Sequence, residues 1–129
     1  MNRITHALLV LRALWELTRY DLVNATLGFR FIYRQVARQA VAAETFQSKT
    51  ETLICEAVCL AACFYIKPVL CLQRSVVATR LLRRYGIHGR LVIGYRPSPF
   101  FSHAWVEVDG RVVNDSPAYK ERLHVLCTL

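Results

Sequence analysis

The chain has 129 residues, 54% of them apolar and 20% charged, with a formal net charge of +8. That length fits one domain with a modest core, and the apolar share excludes a disordered chain. The positive balance favours an acidic partner, either an acidic peptide or an anionic membrane surface; with no zinc-finger spacing and no RNA-binding signature, nucleic acid is set aside.

The N-terminus, MNRITHALLVLRALWELTRY, has the basic start and apolar stretch of a signal peptide. Arg12 and Glu16 interrupt the run, however, and no small-residue cleavage site follows. The run is also shorter than the ~20 apolar residues of a spanning helix. It predicts a helix over residues 4–19 and leaves peripheral membrane contact open. The five cysteines, an odd number, do not read as a secreted disulfide scaffold. The expectation is a cytoplasmic protein with reduced thiols.

Residues 22–43 predict a second helix, or two short ones divided at Gly28. Arg30, Arg34 and Arg38 form a basic stripe along it, either a solvated face or a docking surface. The next helix covers about residues 50–66 and is ended by Pro68. Leu53, Ala57, Leu60 and Phe64 line one side. Cys55, Cys59 and Cys63 share another face and read as packing residues, since no histidine lies nearby to complete a metal site. Cys71 to Tyr85 is a strong helix with Leu72, Val76, Thr79, Leu81 and Leu82 on its apolar face and Gly86 just past its end. The period then changes. GRLVIGY reads as a strand, RPSPFFS as a loop, and HAWVEV and RVVND as strands joined through Asp109–Gly110. The tail AYKERLHVLCTL is ambiguous. The fold class is α+β, with N-terminal helices followed by a small antiparallel sheet. An N-terminal helical segment, 1–50, precedes a core, 51–129.

Three residues are candidates for a site. Cys71 begins a helix, where free amide hydrogens and the helix dipole favour a thiolate. On this placement alone, a core role and a catalytic role stay equally open. His103 opens a strand after a proline- and aromatic-rich loop, and a thiol nucleophile needs such an imidazole to take and return a proton. The plainer reading is a histidine satisfied at a strand end. His6, His88 and His124 have weaker contexts. Asp115 would orient the ring if register allowed it. A three-residue connection, Val108–Asp109–Gly110, pairs Glu107 with Arg111 and sets His103 opposite Asp115. A two-residue turn sends Asp115 to the other face. The three-residue form is the expectation.

CLQRSVVATRLLRRYGIHGRLVIGY followed by HAWVEVDGRVVND resembles the transglutaminase-like cysteine peptidases of lasso-peptide biosynthesis, which remove the leader from a ribosomally made precursor. The likeness lies in the combination of a cysteine at a helix start, LLRRYGI closing that helix, an RLVIG strand, SHAWVEV, and VND after the histidine. It covers residues 51–117. The resemblance implies a papain-like or transglutaminase-like core with Cys71 as nucleophile, His103 as general base and acid, and Asp115 as orienting carboxylate. It implies an acyl-enzyme and neither metal nor other cofactor. It also implies the split form of the family, with three partners: the precursor peptide, a separate leader-recognition protein docking on the first fifty residues, and an ATP-dependent lactam-forming cyclase. Two other readings stand beside it. One is an acyltransferase or cross-linking transglutaminase with the same three residues. The other is a non-catalytic basic helical adaptor in which Cys71 belongs to the core.

Overall fold

The computed structural model describes residues 3–43 and 48–129. Four helices come first: α1 (Arg3–Leu27), α2 (Phe29–Arg38), α3 (Ser48–Phe64) and α4 (Cys71–Arg84). The first is longer than the periodicity predicts and runs on to Gly28. There φ is +78°, a backbone state glycine adopts at no steric cost, and α2 starts on a new axis. Gly86, at φ +84°, ends α4. Its amide and that of Ile87 return to Arg83 O and Leu82 O at 3.2 and 2.9 Å, closing carbonyls the helix end would leave open.

The sheet comprises β1 (Arg90–Pro97), β2 (Phe100–Val108), β3 (Arg111–Val112) and β4 (His124–Thr128), with a short helix α5 (Ala118–Arg122) before β4. The strand order is β3-β2-β1-β4, and every pair is antiparallel. The stretch predicted as a loop, RPSPFFS, is mostly strand, because β1 continues to Pro97 and β2 resumes at Phe100. The ambiguous tail supplies α5 and an edge strand. The pairing of that strand with β1 shifts between Ile93 and Gly94.

The hairpin register differs from expectation. Val108 pairs Arg111 and Glu107 pairs Val112, so the connection has two residues, not three. Asp109 and Gly110 both have positive φ, 52° and 75°. This is the pattern of a type I′ turn, whose twist matches that of the flanking strands. The anticipated Glu107–Arg111 pair therefore does not form. Arg111 reaches Glu51 of α3 through both terminal guanidinium nitrogens, Nη1 and Nη2, at 3.3 Å. Glu107 instead accepts from Trp105 Nε1 at 2.8 Å and Lys120 Nζ at 3.2 Å.

Strand alternation gives the sheet two buried faces. On one, Leu91, Ala104, Val106 and Val108 meet the helices. On the other, Val92 and Trp105 pack with Leu123, Val112 and Tyr119. α4 is the central helix. The periodicity predicts one apolar face, yet Val76, Val77, Ala78, Thr79, Leu81 and Leu82 are all buried, since α4 packs against α1, α2 and α3 as well as the sheet. Leu9, Ala13 and Leu17 of α1 share a core with Ile54, Ala57 and Val58 of α3, so residues on both sides of position 50 build one interior. α3 buries Ile54, Ala57, Val58 and Ala61, which leaves Leu60 and Phe64 exposed.

Buried polar groups tie α4 to its neighbours. Arg83 donates to Gly89 O at 2.9 Å, to Leu129 O at 2.8 Å and to Val36 O, satisfying a guanidinium that burial would otherwise penalise. Glu16 of α1 accepts from Arg80 at 3.0 Å, and Gln73 donates to Leu17 O at 3.1 Å. No helix among the described residues is long and apolar enough to cross a membrane.

Gly94 is required for packing rather than for its dihedrals. A Cβ there would lie 2.6 Å from the Trp105 ring and 3.1 Å from Leu123 Cβ. Gly94→Ala is expected to displace the Trp105 ring and cost about 1–3 kcal/mol, as overpacked cores do, measured by urea unfolding followed by circular dichroism. An unchanged midpoint would show that the ring moves aside freely.

Candidate active site

β2 meets β3 on one edge, toward which the backbone groups of Ala104, Val106 and Val108 point. β3 ends at Val112, before it can serve all three. Val113 N still donates to Val106 O at 3.0 Å. Val106 N then donates to the side chain of Asn114, at Oδ1, 2.8 Å. Ser75 of α4 donates its hydroxyl to Ala104 O at 3.1 Å and accepts from Asn114 Nδ2 at 3.1 Å. Side chains thus replace the missing strand, as buried backbone groups require. The chain bends where Asn114 turns inward, and the next residue is Asp115.

That bend decides the carboxylate's position. Asp115 Oδ2 lies 2.7 Å from His103 Nε2. The alternation that would send Asp115 to the wrong face does not apply, because residues 113–116 are not strand. The anticipated contact exists by a route other than the anticipated register. The same Oδ2 accepts from Arg74 of α4 at 3.3 Å, and Oδ1 accepts from Ser116 N at 2.8 Å. With Nε2 directed at a carboxylate, that nitrogen carries a hydrogen, so the lone pair of a neutral ring would lie on Nδ1.

The ring is also held flat. Tyr119 of α5 stacks on His103 with centroids 3.9 Å apart and planes at 27°. Trp105 continues the stack at 6.4 Å. His103, Trp105 and Glu107 share the sheet face away from α4, and the Trp105 indole is fixed by its hydrogen bond to Glu107. The imidazole is therefore placed by an acceptor, a stacking partner and the strand, and its side chain is only 11% exposed.

Cys71 is the first residue of α4. The N-cap is Leu70, whose side chain makes no capping hydrogen bond, so the first-turn amides have no intrahelical acceptor and face outward. The thiol is half-buried and packs against the cluster of Ile32, Val36, Val76, Leu91 and Ala104. Burial first, then the charge of Asp21 and the neighbouring Cys71, pushes the Tyr20 phenol up. The structure joins His103 to Asp115 directly. It makes no hydrogen bond between Cys71 and either of them. The connection runs through α4, where Arg74 and Ser75, one turn past Cys71, contact Asp115 and β2.

Four residues here escape the sequence reading: Arg74, Ser75, Asn114 and Tyr119. Asn114 and Arg74 lie inside the quoted motifs, but only the early end of β3 gives them their work. The cysteine stripe on α3 also differs from expectation. Cys55 is buried, whereas Cys59 and Cys63 are exposed, because the helix turns its Ile54–Ala57–Val58 side inward.

The family model of the transglutaminase-like superfamily matches residues 13–128. The microcin J25-processing protein McjB of Escherichia coli is 44% identical over 59 residues, 46% of this chain and 28% of that protein. The match thus spans well under a third of the relative's length. No solved structure matches.

Burial pushes the Cys55 thiol up to about 12, with Glu51 adding to it. A raised pKa means that the thiolate is scarce at lower pH. Iodoacetamide at about pH 8, close to the usual thiol range, is therefore expected to alkylate Cys59 and Cys63 while Cys55 stays unmodified, read by peptide mass mapping of the folded protein. Equal labelling of Cys55 and Cys59 would contradict this.

Proposed function

From its place in the transglutaminase-like superfamily, to which this chain belongs, we propose that it is a cysteine endopeptidase that removes the leader from a lasso-peptide precursor. The observation that carries this is the His103–Asp115 pair, whose carboxylate also accepts from Arg74 in the first turns of a helix that begins with a cysteine. McjB is named for processing microcin J25, which supports a peptide precursor as substrate.

In the proposed reaction, Cys71 Sγ already shares its proton transiently with His103 Nδ1 in the free chain, and the contact tightens as substrate binds. The thiol proton passes to Nδ1, and the thiolate attacks the scissile carbonyl carbon, forming a C–S bond. The oxyanion takes hydrogen bonds from first-turn amides of α4. The C–N bond breaks as the imidazolium returns its proton to the leaving amine. Water then attacks the thioester with His103 as base. The leader leaves as a carboxylic acid and the thiol is restored. Asp115 stabilises the imidazolium and fixes its orientation.

The partners proposed with this activity are the precursor, a separate leader-recognition protein on the N-terminal helices, and an ATP-dependent lactam-forming cyclase. α1 supports the docking role. Leu8, Leu11 and Trp15 project from it into solvent at 59–61% exposure, more apolar surface than a monomer usually leaves bare.

The test is incubation with a precursor and a leader-recognition protein, followed by mass spectrometry. The expected products are two fragments whose masses sum to the precursor plus one water. Cys71→Ala is expected to reduce their formation by at least about a thousandfold. A joined, heavier product would mark an acyltransferase. Unchanged cleavage by Cys71→Ala would remove the proposed nucleophile.

A further inference from the structure

An open groove of about 530 Å³ runs along α3. Its floor is the cysteine face of that helix, with Cys55, Cys59, Leu60 and Cys63; Val113 and Asn114 line it too. One end lies at Glu51, which Arg111 anchors to the hairpin. The other end lies at Cys63, where α3 finishes one residue later and the chain turns toward Cys71. Asn114, in its lining, directly precedes Asp115 and is held by Ser75 and Val106. The groove therefore shares Asn114 with the bend that carries Asp115 to His103. No three His, Cys, Asp or Glu side chains among the described residues converge as metal ligands, so the cysteines serve here as apolar surface.

The charge of the groove is unlike that of the rest of the chain. The protein carries a net +8, yet the groove is bordered by two carboxylates. Glu51 is buried and already paired with Arg111. Glu56 is exposed and has no ion-pair partner among the described residues. An apolar channel with one unneutralised acid fits an apolar peptide segment bearing a lysine or arginine.

We propose that this groove is the substrate subsite of the peptidase described above, binding an apolar stretch of the substrate peptide with one basic residue set against Glu56. The assignment rests on the peptidase reading for the identity of its occupant. Its residues are specificity-determining rather than catalytic, because none of them touches the reacting atoms.

Binding is read without turnover on the Cys71→Ala chain, by maleimide labelling of Cys59 and Cys63 and peptide mass mapping. The probes are a short peptide of leucine and alanine with one central lysine, and the same peptide with glutamate there. Excess lysine peptide is expected to slow labelling at least about threefold more than the glutamate peptide does, the scale of a partly exposed charge pair. Glu56→Lys is expected to reverse that order. Cys59→Trp, which fills the groove, is expected to abolish protection of Cys63. Equal protection by both peptides, protection by neither, or an order unchanged in Glu56→Lys would overturn the assignment. The labelling needs no cleavage, so it can fail while the peptidase reading stands, and a failed cleavage assay leaves its result intact.

Discussion

Past Val112 the edge of β2 has lost its neighbouring strand, and the amide of Val106 and the carbonyl of Ala104 must find partners elsewhere. Leaving either buried and unpaired would cost on the order of 1–3 kcal/mol. Asn114 and Ser75 meet the need. Asn114 must turn inward to do so, which ends the strand, bends the chain and carries Asp115 round the edge to His103. Ser75 must stand over Ala104, which fixes the first turn of α4, and with it Cys71, against the same edge. One short strand therefore brings Asp115 to His103 and ties α4 to the same edge through Ser75.

The rest of the fold keeps α4 in that place. Its C-terminal end is held by Arg83, whose guanidinium serves three carbonyls from α2, the helix–sheet turn and the C-terminal residue. Its middle is held to α1 by the Glu16–Arg80 ion pair, which is largely buried. Removing one member of such a pair leaves an uncompensated charge and is costlier than removing both. The apolar contacts around α4 come from three helices and the sheet, so the helix cannot slide without disturbing every layer. The imidazole is braced on the opposite face, where Trp105 fits only because Gly94 has no side chain.

Much of this was legible in the residues. The helices, the glycine breaks at Gly28 and Gly86, and the change to a strand period at Arg90 follow from local chemistry. The hairpin register was not. Both connections satisfy the Asp109–Gly110 turn, and the observed one sets Arg111 against Glu51 on α3, a contact sixty residues away. The His103–Asp115 contact that alternation predicts forms by a different route, because residues 113–116 are not strand. The exposure of Cys59 and Cys63 was equally hidden: four-residue spacing shows a shared face but not which side the other helices cover.

The pair at 2.7 Å matters for function only if it acts on the thiol at the start of α4. The most direct measurement is the rate of Cys71 alkylation by iodoacetamide at about pH 6.5, near the ordinary imidazole range, with exposed Cys59 of the same molecule as the internal standard. The account predicts that Cys71 reacts at least about tenfold faster than Cys59 in the native chain, the scale of a base-assisted thiol, and that His103→Ala removes the advantage. Equal rates at the two cysteines, or a Cys71 rate unaltered by loss of the imidazole, would contradict it.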